Sequence, residues 1–330
     1  MPPQEPDNNR TARAGTPQVA VIVPFHNVVT YLSRCVDSLV SQTIPVEIIL
    51  VDDGSTDASG AIADWYASQY GFIRVLHQLN RGQGSARNAG LAASEAPFVA
   101  FVDSDDYVDP GYAEKLLTAI RRTQADIAVC AYTTITRNGL RWRALTPRVL
   151  PSALTGAKAL RLSIRDVSIK SYTWNKLFRR TLFTDRGIVF PDIMFEDMAT
   201  MPRLFSRARR VAMVKCPLYT YCRRSGSLMC MFTPKRIADN ITALAMVRDY
   251  LIESGQFFHY RGSYTFLVGK FALSMMLDTL HMHFKHRLPR PFPAAWHAFR
   301  HTLRLSKPAA DPLTTIEILL HRNEYQATHK

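Results

Sequence analysis

Val46-Glu-Ile-Ile-Leu-Val-Asp-Asp-Gly-Ser-Thr-Asp57 reads as one complete strand-to-helix joint. An apolar run of strand length ends in two carboxylates, and a glycine turns the chain. Ser55, Thr56 and Asp57 then supply short polar side chains suited to a helix N-terminus. Upstream, Val19-Ala-Val-Ile-Val23 stops at Pro24 in the same manner. Downstream, residues 72–76, 98–102 and 126–130 repeat the strand signal. Between the runs, residues 30–41, 57–69, 83–93 and 110–121 carry helical spacing or an alanine-rich composition. This alternation predicts an α/β fold, a mostly parallel sheet with helices on both faces. Ligands on such sheets lie beyond the carboxyl ends of the strands. The rule selects residues 24–27, 52–57 and 103–106, all polar and two of them carboxylate clusters.

Phe101-Val-Asp-Ser-Asp-Asp-Tyr107 runs a buried strand directly into Asp103, Asp105 and Asp106. Carboxylates this close repel one another unless a cation sits among them. Mg²⁺ and Mn²⁺ take one or two carboxylates together with substrate phosphates. A capped turn into the helix near Pro110 is the plain alternative, and Asp109 serves that alone. Asp52 and Asp53 exceed what capping requires and could accept from a nucleobase N–H or a ribose hydroxyl. Arg81-Gly-Gln-Gly-Ser-Ala-Arg-Asn-Ala-Gly90 opens a helix but fails the dinucleotide fingerprint, because Arg87 stands where the third glycine belongs. The segment is a flexible capped turn, or Arg87 meets a phosphate or a base edge.

Composition bounds the rest. The 330 residues are 47% apolar, enough for one large or two modest domains, and exclude collagen, low-complexity disorder and a disulfide scaffold. Five scattered cysteines without a Cys-x-x-Cys pair fit reduced thiols rather than a zinc site. His281, His283 and His286, beside Lys285 and Arg287, read as a basic exposed face. The polar first ten residues and the lack of an apolar run of about 18–20 residues predict a cytoplasmic protein. Charge is uneven: residues 1–136 carry 9 basic and 15 acidic groups, residues 137–224 carry 19 and 5, and residues 225–330 carry 13 and 7. The basic part predicts an anionic partner, including the inner face of an anionic membrane. The amphipathic segment 266–284 with the basic stretch 285–304 suits the same surface.

Taken together, Val23-Pro-Phe-His-Asn27, Val51-Asp-Asp-Gly-Ser-Thr-Asp57, Gly84-Ser-Ala-Arg-Asn-Ala-Gly90 and Asp103-Ser-Asp-Asp106 resemble the family 2 glycosyltransferases of GT-A fold. Trp174-Asn-Lys-Leu-Phe178, Phe195-Glu-Asp-Met198 and Tyr219-Thr-Tyr-Cys-Arg-Arg-Ser-Gly-Ser227 resemble the acceptor half of bacterial capsule, exopolysaccharide and lipopolysaccharide members. The resemblance covers residues 18–232. Within it fall a nucleotide-sugar half (18–133) and an acceptor half (134–232), while composition predicts a disordered tail (1–17) and helical spacing a helical C-terminal region (233–330).

The resemblance implies inverting transfer from a UDP-sugar to a glycan or lipid-linked acceptor. Pro24, Asp52, Asp53, Arg87, Asp103, Ser104 and Lys176 would serve the donor, with Asp53 at the uracil and Asp103 by the ribose. Asp105, with Asp103, would hold Mn²⁺ or Mg²⁺. Asp197 would be the catalytic base, with Glu196 beside it. Carboxylates at a helix start are also ordinary dipole chemistry. The other acids of residues 137–224 have cheaper accounts: Asp166 and Asp185 sit beside Arg165 and Arg186, and Asp192 follows Pro191 in an expected turn. Lys176, Arg223, Arg224 and Ser227 could reach a phosphate or stay on the surface. A sugar nucleotidyltransferase would carry a Gly-rich basic loop after the first strand, where Pro24-Phe-His-Asn27 stands. A basic nucleic-acid-binding module lacks any recognisable motif here, so no nucleic acid is expected.

Overall fold

The computed structural model describes residues 15–136, 138–143, 150–185, 187–223, 233–285 and 291–324. These residues form two compact units. The first takes residues up to 159 together with 172–192 and 204–225, and the second takes 160–171, 193–203 and 226 onward. Both units draw on the segment 134–232, so the chain passes between them several times.

The first unit is built on a ten-stranded sheet. Its strands are β1 (Val19–Phe25), β2 (Val46–Asp53), β3 (Ile73–Gln78), β4 (Phe98–Phe101), β5 (Tyr107–Val108), β6 (Ile127–Ile135), β7 (Arg141–Arg143), β8 (Ala153–Thr155), β9 (Lys176–Arg179) and β10 (Arg210–Cys222). The order is β3-β2-β1-β4-β9-β6-β10-β5, with β7 on β6 and β8 on β10. β2 and β4 flank β1 in parallel, and β3 continues parallel beyond β2. All seven residues of β1 are buried. A central parallel strand has both faces covered, which is why it reads as a continuous apolar run rather than an alternation.

Helices α1 (Leu32–Val40), α2 (Ser59–Gln69), α3 (Gln83–Ala93) and α4 (Tyr112–Thr123) connect the strands. In α1, Leu32, Cys35, Val36 and Leu39 are buried, the i, i+3, i+4, i+7 stripe of a one-faced helix. α3 packs closely because Gly90 lies over β1 and β2. A Cβ there would stand 2.4 Å from Ile22 Cγ2. The expected fifth strand is present as β6, and β7 pairs antiparallel with its end. β9 is the element the pattern did not announce. It inserts antiparallel between β4 and β6, so the family-like stretch Trp174–Phe178 completes the sheet itself.

The chain continues through α5 (Gly156–Arg165), α6 (Thr181–Thr184) and α7 (Glu196–Arg207). The second unit holds α8 (Pro234–Glu253), α9 (Phe257–Lys285), α10 (Pro291–Arg304) and α11 (Pro312–Glu324). Three of these begin at a proline, whose missing N–H costs nothing in the first turn. Thr233 caps α8, its Oγ1 accepting from Arg236 N at 3.2 Å. Tyr264 is buried in this unit and donates to the carbonyls of Leu244 and Leu305.

Two expectations change here. His283 is buried in α9, while His281 is exposed and His286 lies outside the described residues, so the three do not make one exposed face. Asp166 pairs with Lys270 and Lys170 rather than with Arg165, whose guanidinium lies over the Phe266 ring. Arg186, Arg224 and Ser227 also lie outside the described residues.

Candidate active site

Because β1, β2, β3 and β4 run parallel, their carboxyl ends share one edge and bring His26, Asp53, Gln78 and Asp103 into one region. Asp53 organises it. Its Oδ1 accepts from Gln78 Nε2 (2.7 Å) and Arg81 N (2.9 Å), and its Oδ2 accepts from Gly82 N (2.8 Å). Three donors onto one buried carboxylate fix the turn that launches α3. Gly82 adopts φ +87°, and a Cβ there would meet Asp192 Oδ1 at 2.7 Å. Gly84 lies under the carbonyl of Pro191. The glycines of the Gly-rich segment therefore admit the chain at 190–192. Asn88 clips that chain on both sides, donating to Phe190 O (2.8 Å) and accepting from Phe190 N (2.9 Å).

Asp103 follows β4. Its Oδ1 accepts from Gln83 Nε2 (3.1 Å) and from the Arg87 guanidinium (3.0 Å), which is buried and faces the Phe190 ring. Arg87 thus orients Asp103. Asp105 is half-buried, and its carbonyl accepts from Arg34 at 2.8 Å. Asp106 is turned fully inward: it accepts from Tyr219 OH and from Cys222 N, both at 2.7 Å. Burial, then the charges of Asp105 and Asp103, hold its carboxyl well above the usual carboxylate range. The cluster therefore divides into Asp103 and Asp105 at the loop and Asp106 as a strut to β10.

Asp52 is also a strut. It accepts from Ser55 N (2.9 Å) and pairs with His77 Nδ1 (3.0 Å). Burial pushes its carboxyl up, but the bonds from Ser55 and His77 outweigh that and leave it below the ordinary value. His77 is pushed up in turn by its bonds to Asp52 and Asp64. Ser55 and Thr56 do not cap α2, which starts at Ser59. They tie to Asn27, whose N–H donates to Ser55 Oγ and whose Oδ1 accepts from Thr56 N. Asn27 adopts φ 51°, a conformation asparagine tolerates better than most.

Pro24 is buried in β1 opposite Val51, and Ser104 is buried beside Asp103. Lys176 departs from the expectation of an anion contact. It is fully buried, and its ammonium donates to the carbonyl of Tyr172 and to Asn175 Oδ1. Adjacent side chains of a strand point to opposite faces, and this one falls inward. Arg223 lies over the Trp142 ring.

Glu196 and Asp197 open α7. Glu196 is buried, whereas Asp197 is half-buried and its Oδ1 accepts from Met198 N at 2.6 Å. Of the adjacent pair, Asp197 is the one that reaches the surface. Sequence reasoning gave no role to Gln78 or Gln83, took Asn27 only as part of the 24–27 stretch, and left Asp192 as a turn residue. The strand-end rule applied to β3 would have reached Gln78, but nothing in the sequence joins Asp192 to Gly82.

The sheet order, the carboxylate loop after β4 and the flanking helices define a GT-A fold. Residues 1–349 of S. aureus TarS, in complex with UDP, superpose with a TM-score of 0.64 at 20% identity, covering 94% of this chain and 92% of that one. The family described as Glycosyl transferase family 2 matches residues 20–191. EpsH of Bacillus subtilis (strain 168), named as a glycosyltransferase, is 30% identical over 268 residues, 79% of this chain and 77% of its own length. EpsJ of the same organism, also named as one, is 36% identical over 218 residues, and the match spans 64% of this chain and 63% of EpsJ. The chain belongs to glycosyltransferase family 2. The leading reading of the sequence, a glycosyltransferase, therefore stands over the sugar nucleotidyltransferase.

Proposed function

We propose that the protein moves a sugar, with inversion, from a UDP-sugar to a hydroxyl of a glycan or lipid-linked acceptor in surface polysaccharide synthesis. The observation that carries this reading is the convergence of Asp53 and Asp103 on the start of α3 at one edge of the sheet, with Asp105 in the same loop as Asp103. Carboxylates accept from base and ribose donors, and a helix N-terminus favours the diphosphate. UDP in the TarS structure supports the choice of nucleotide.

A divalent cation fits the carboxylates present. Among the described residues no group of three or more His, Cys, Asp or Glu could hold a metal alone. Asp103 and Asp105 at the loop instead suit Mg²⁺ or Mn²⁺, which completes its shell with phosphate oxygens and water. When bound, the cation neutralises charge on the departing nucleoside diphosphate. Arg87 and Gln83 hold Asp103 in place for it. Asp53 fixes the turn beneath the nucleotide. Asp197 accepts the proton of the attacking hydroxyl. Inversion needs one displacement, so no residue serves as nucleophile.

No helix among the described residues is long and apolar enough to cross a membrane. Residues 137–330 carry 32 basic and 12 acidic groups, a net +20 that supports peripheral attachment to an anionic membrane from the cytoplasmic side.

A panel of nucleotide sugars, assayed for transfer and for donor binding with Mn²⁺ or with chelator, tests the reading. Asp105→Asn should weaken metal-dependent UDP binding. Asp197→Asn should cut transfer by about 10²–10⁴ while UDP still binds. Equal UDP affinity in chelator and Mn²⁺ sinks the metal assignment. Transfer by Asp197→Asn within about tenfold of the parent passes the role of base to Glu196.

A further inference from the structure

Helix α9 spans 29 residues and buries one side within its unit through Tyr264, Leu267, Val268, Ala272 and Met275. Its other side should be polar, yet it exposes Phe266, Leu273, Leu277 and Phe284. Their spacings are seven, four and seven residues, which at about 100° per residue stack them into a stripe roughly 40° wide. The stripe continues onto α10. Phe284 meets Phe292 edge-on at 6.2 Å, and Trp296 follows one turn later. These six side chains are 43–68% exposed. Scattered exposed apolar residues are ordinary, whereas a contiguous aromatic face is not.

The sequence of these two helices and their joint is basic, although Lys270 within it pairs with Asp166. Residues 257–304 hold seven lysines and arginines and a single acid, Asp278. Asp278 is already paired with Arg236 Nη1 at 3.1 Å. An apolar stripe carrying aromatic rings and flanked by cations is complementary to a bilayer surface with anionic headgroups: rings enter the acyl boundary and cations stay with phosphate.

We infer that the α9–α10 face inserts into an anionic lipid bilayer, with Phe266, Leu273, Leu277, Phe284, Phe292 and Trp296 as the inserted groups. The inference rests on the membrane placement given above and deepens it, because charge alone would hold the protein at the surface without penetration. Insertion at this face would present the enzyme to an acceptor carried on a lipid in the same leaflet.

The test uses the full chain and vesicles of phosphatidylethanolamine with about one-third phosphatidylglycerol, against vesicles of phosphatidylcholine alone. Cosedimentation is read at about 0.1 M and about 1 M salt, where the Debye length falls from roughly 10 Å to 3 Å. The expected result is binding to the anionic vesicles that persists in part at high salt. Phe284→Ser/Phe292→Ser/Trp296→Ser should lower it by about tenfold or more, since each loses apolar area rather than charge. All three sites are exposed, and an unchanged circular dichroism melt keeps the comparison fair. Independently, lipids brominated on the acyl chain should quench tryptophan fluorescence in the parent but not in Trp296→Phe.

Binding abolished at high salt and untouched by the triple variant overturns the inserted face while leaving surface attachment standing. A concentration-dependent dimer that the triple variant dissolves, without vesicle binding, overturns it in favour of a second copy of the chain. Both readouts are independent of turnover, so failure of the glycosyltransfer reading is seen separately.

Discussion

Arg87 Nη2 lies 3.0 Å from Asp103 Oδ1, and the arginine side chain is only 3% exposed. A guanidinium this deep is a positioning group, set beneath the first carboxylate of the acidic loop. Removing one partner of a buried pair typically costs about 3–5 kcal/mol, because the other charge is left uncompensated. Asp103 keeps some solvent, so Arg87→Met should cost about 3 kcal/mol in urea unfolding. Metal-dependent UDP binding should weaken with it. Arg87→Lys should recover stability better than UDP affinity, since an ammonium lacks the fixed fork. A methionine variant within about 0.5 kcal/mol of the parent would remove Arg87 from this role.

Asp106 is expected to behave as structure. Asp106→Ala strands Cys222 N and Tyr219 OH without their acceptor and should destabilise by about 2–4 kcal/mol. Asp106→Asn keeps an acceptor for Cys222 N, and its amide can donate to the Tyr219 oxygen. It should therefore regain most of the loss in the same unfolding measurement. An asparagine variant as unstable as the alanine one would show that the contact needs a charge.

Gly90→Ala should destabilise by about 1–3 kcal/mol through overpacking against Ile22. Combining it with Ile22→Ala removes the atom in the way. The double variant should then be more stable than the sum of the two single losses. Strict additivity in a double-mutant cycle would place the strain elsewhere.

His77 gives a pH signature. Its folded pKa is raised by Asp52 and Asp64, so its stabilising contribution is fully present below the unfolded value of about 6.5. That contribution is lost as pH rises through the folded value. His77→Gln should therefore sit further below the parent near pH 6 than near pH 9. The side chain is half exposed, which limits the difference to roughly 0.5 kcal/mol. Melting curves at the two pH values decide it, and a gap that widens toward alkaline pH reverses the assignment.

Much of this was legible because parallel strands announce themselves. Val19–Val23 and Ile48–Val51 are covered on both faces and so appear as unbroken apolar runs. The carboxylates beyond them were equally visible, but their division of labour was not. Asp103, Asp105 and Asp106 look alike in sequence, and only the approach of Tyr219, 113 residues beyond Asp106, turns the last inward. Lys176 was expected to meet an anion or stay on the surface, and the resemblance alone carried it to the donor. In the fold it belongs to β9, a four-residue strand too short to show a period. Asp166 likewise finds Lys270 across 104 residues instead of its neighbour Arg165.

The antiparallel seat of β9 between β4 and β6 bears on how the chain can be made. During synthesis β1 to β4 emerge long before residue 176, and until then β4 has a bare outer edge in the middle of the future sheet. Such an edge templates pairing with other chains. A fragment ending near residue 135 would thus carry every donor-side carboxylate loop and still aggregate. One extended past β9 would cover β4, with the far side of β6 bare until β10 follows, so the nucleotide half cannot be cut free at the point where its own motifs end.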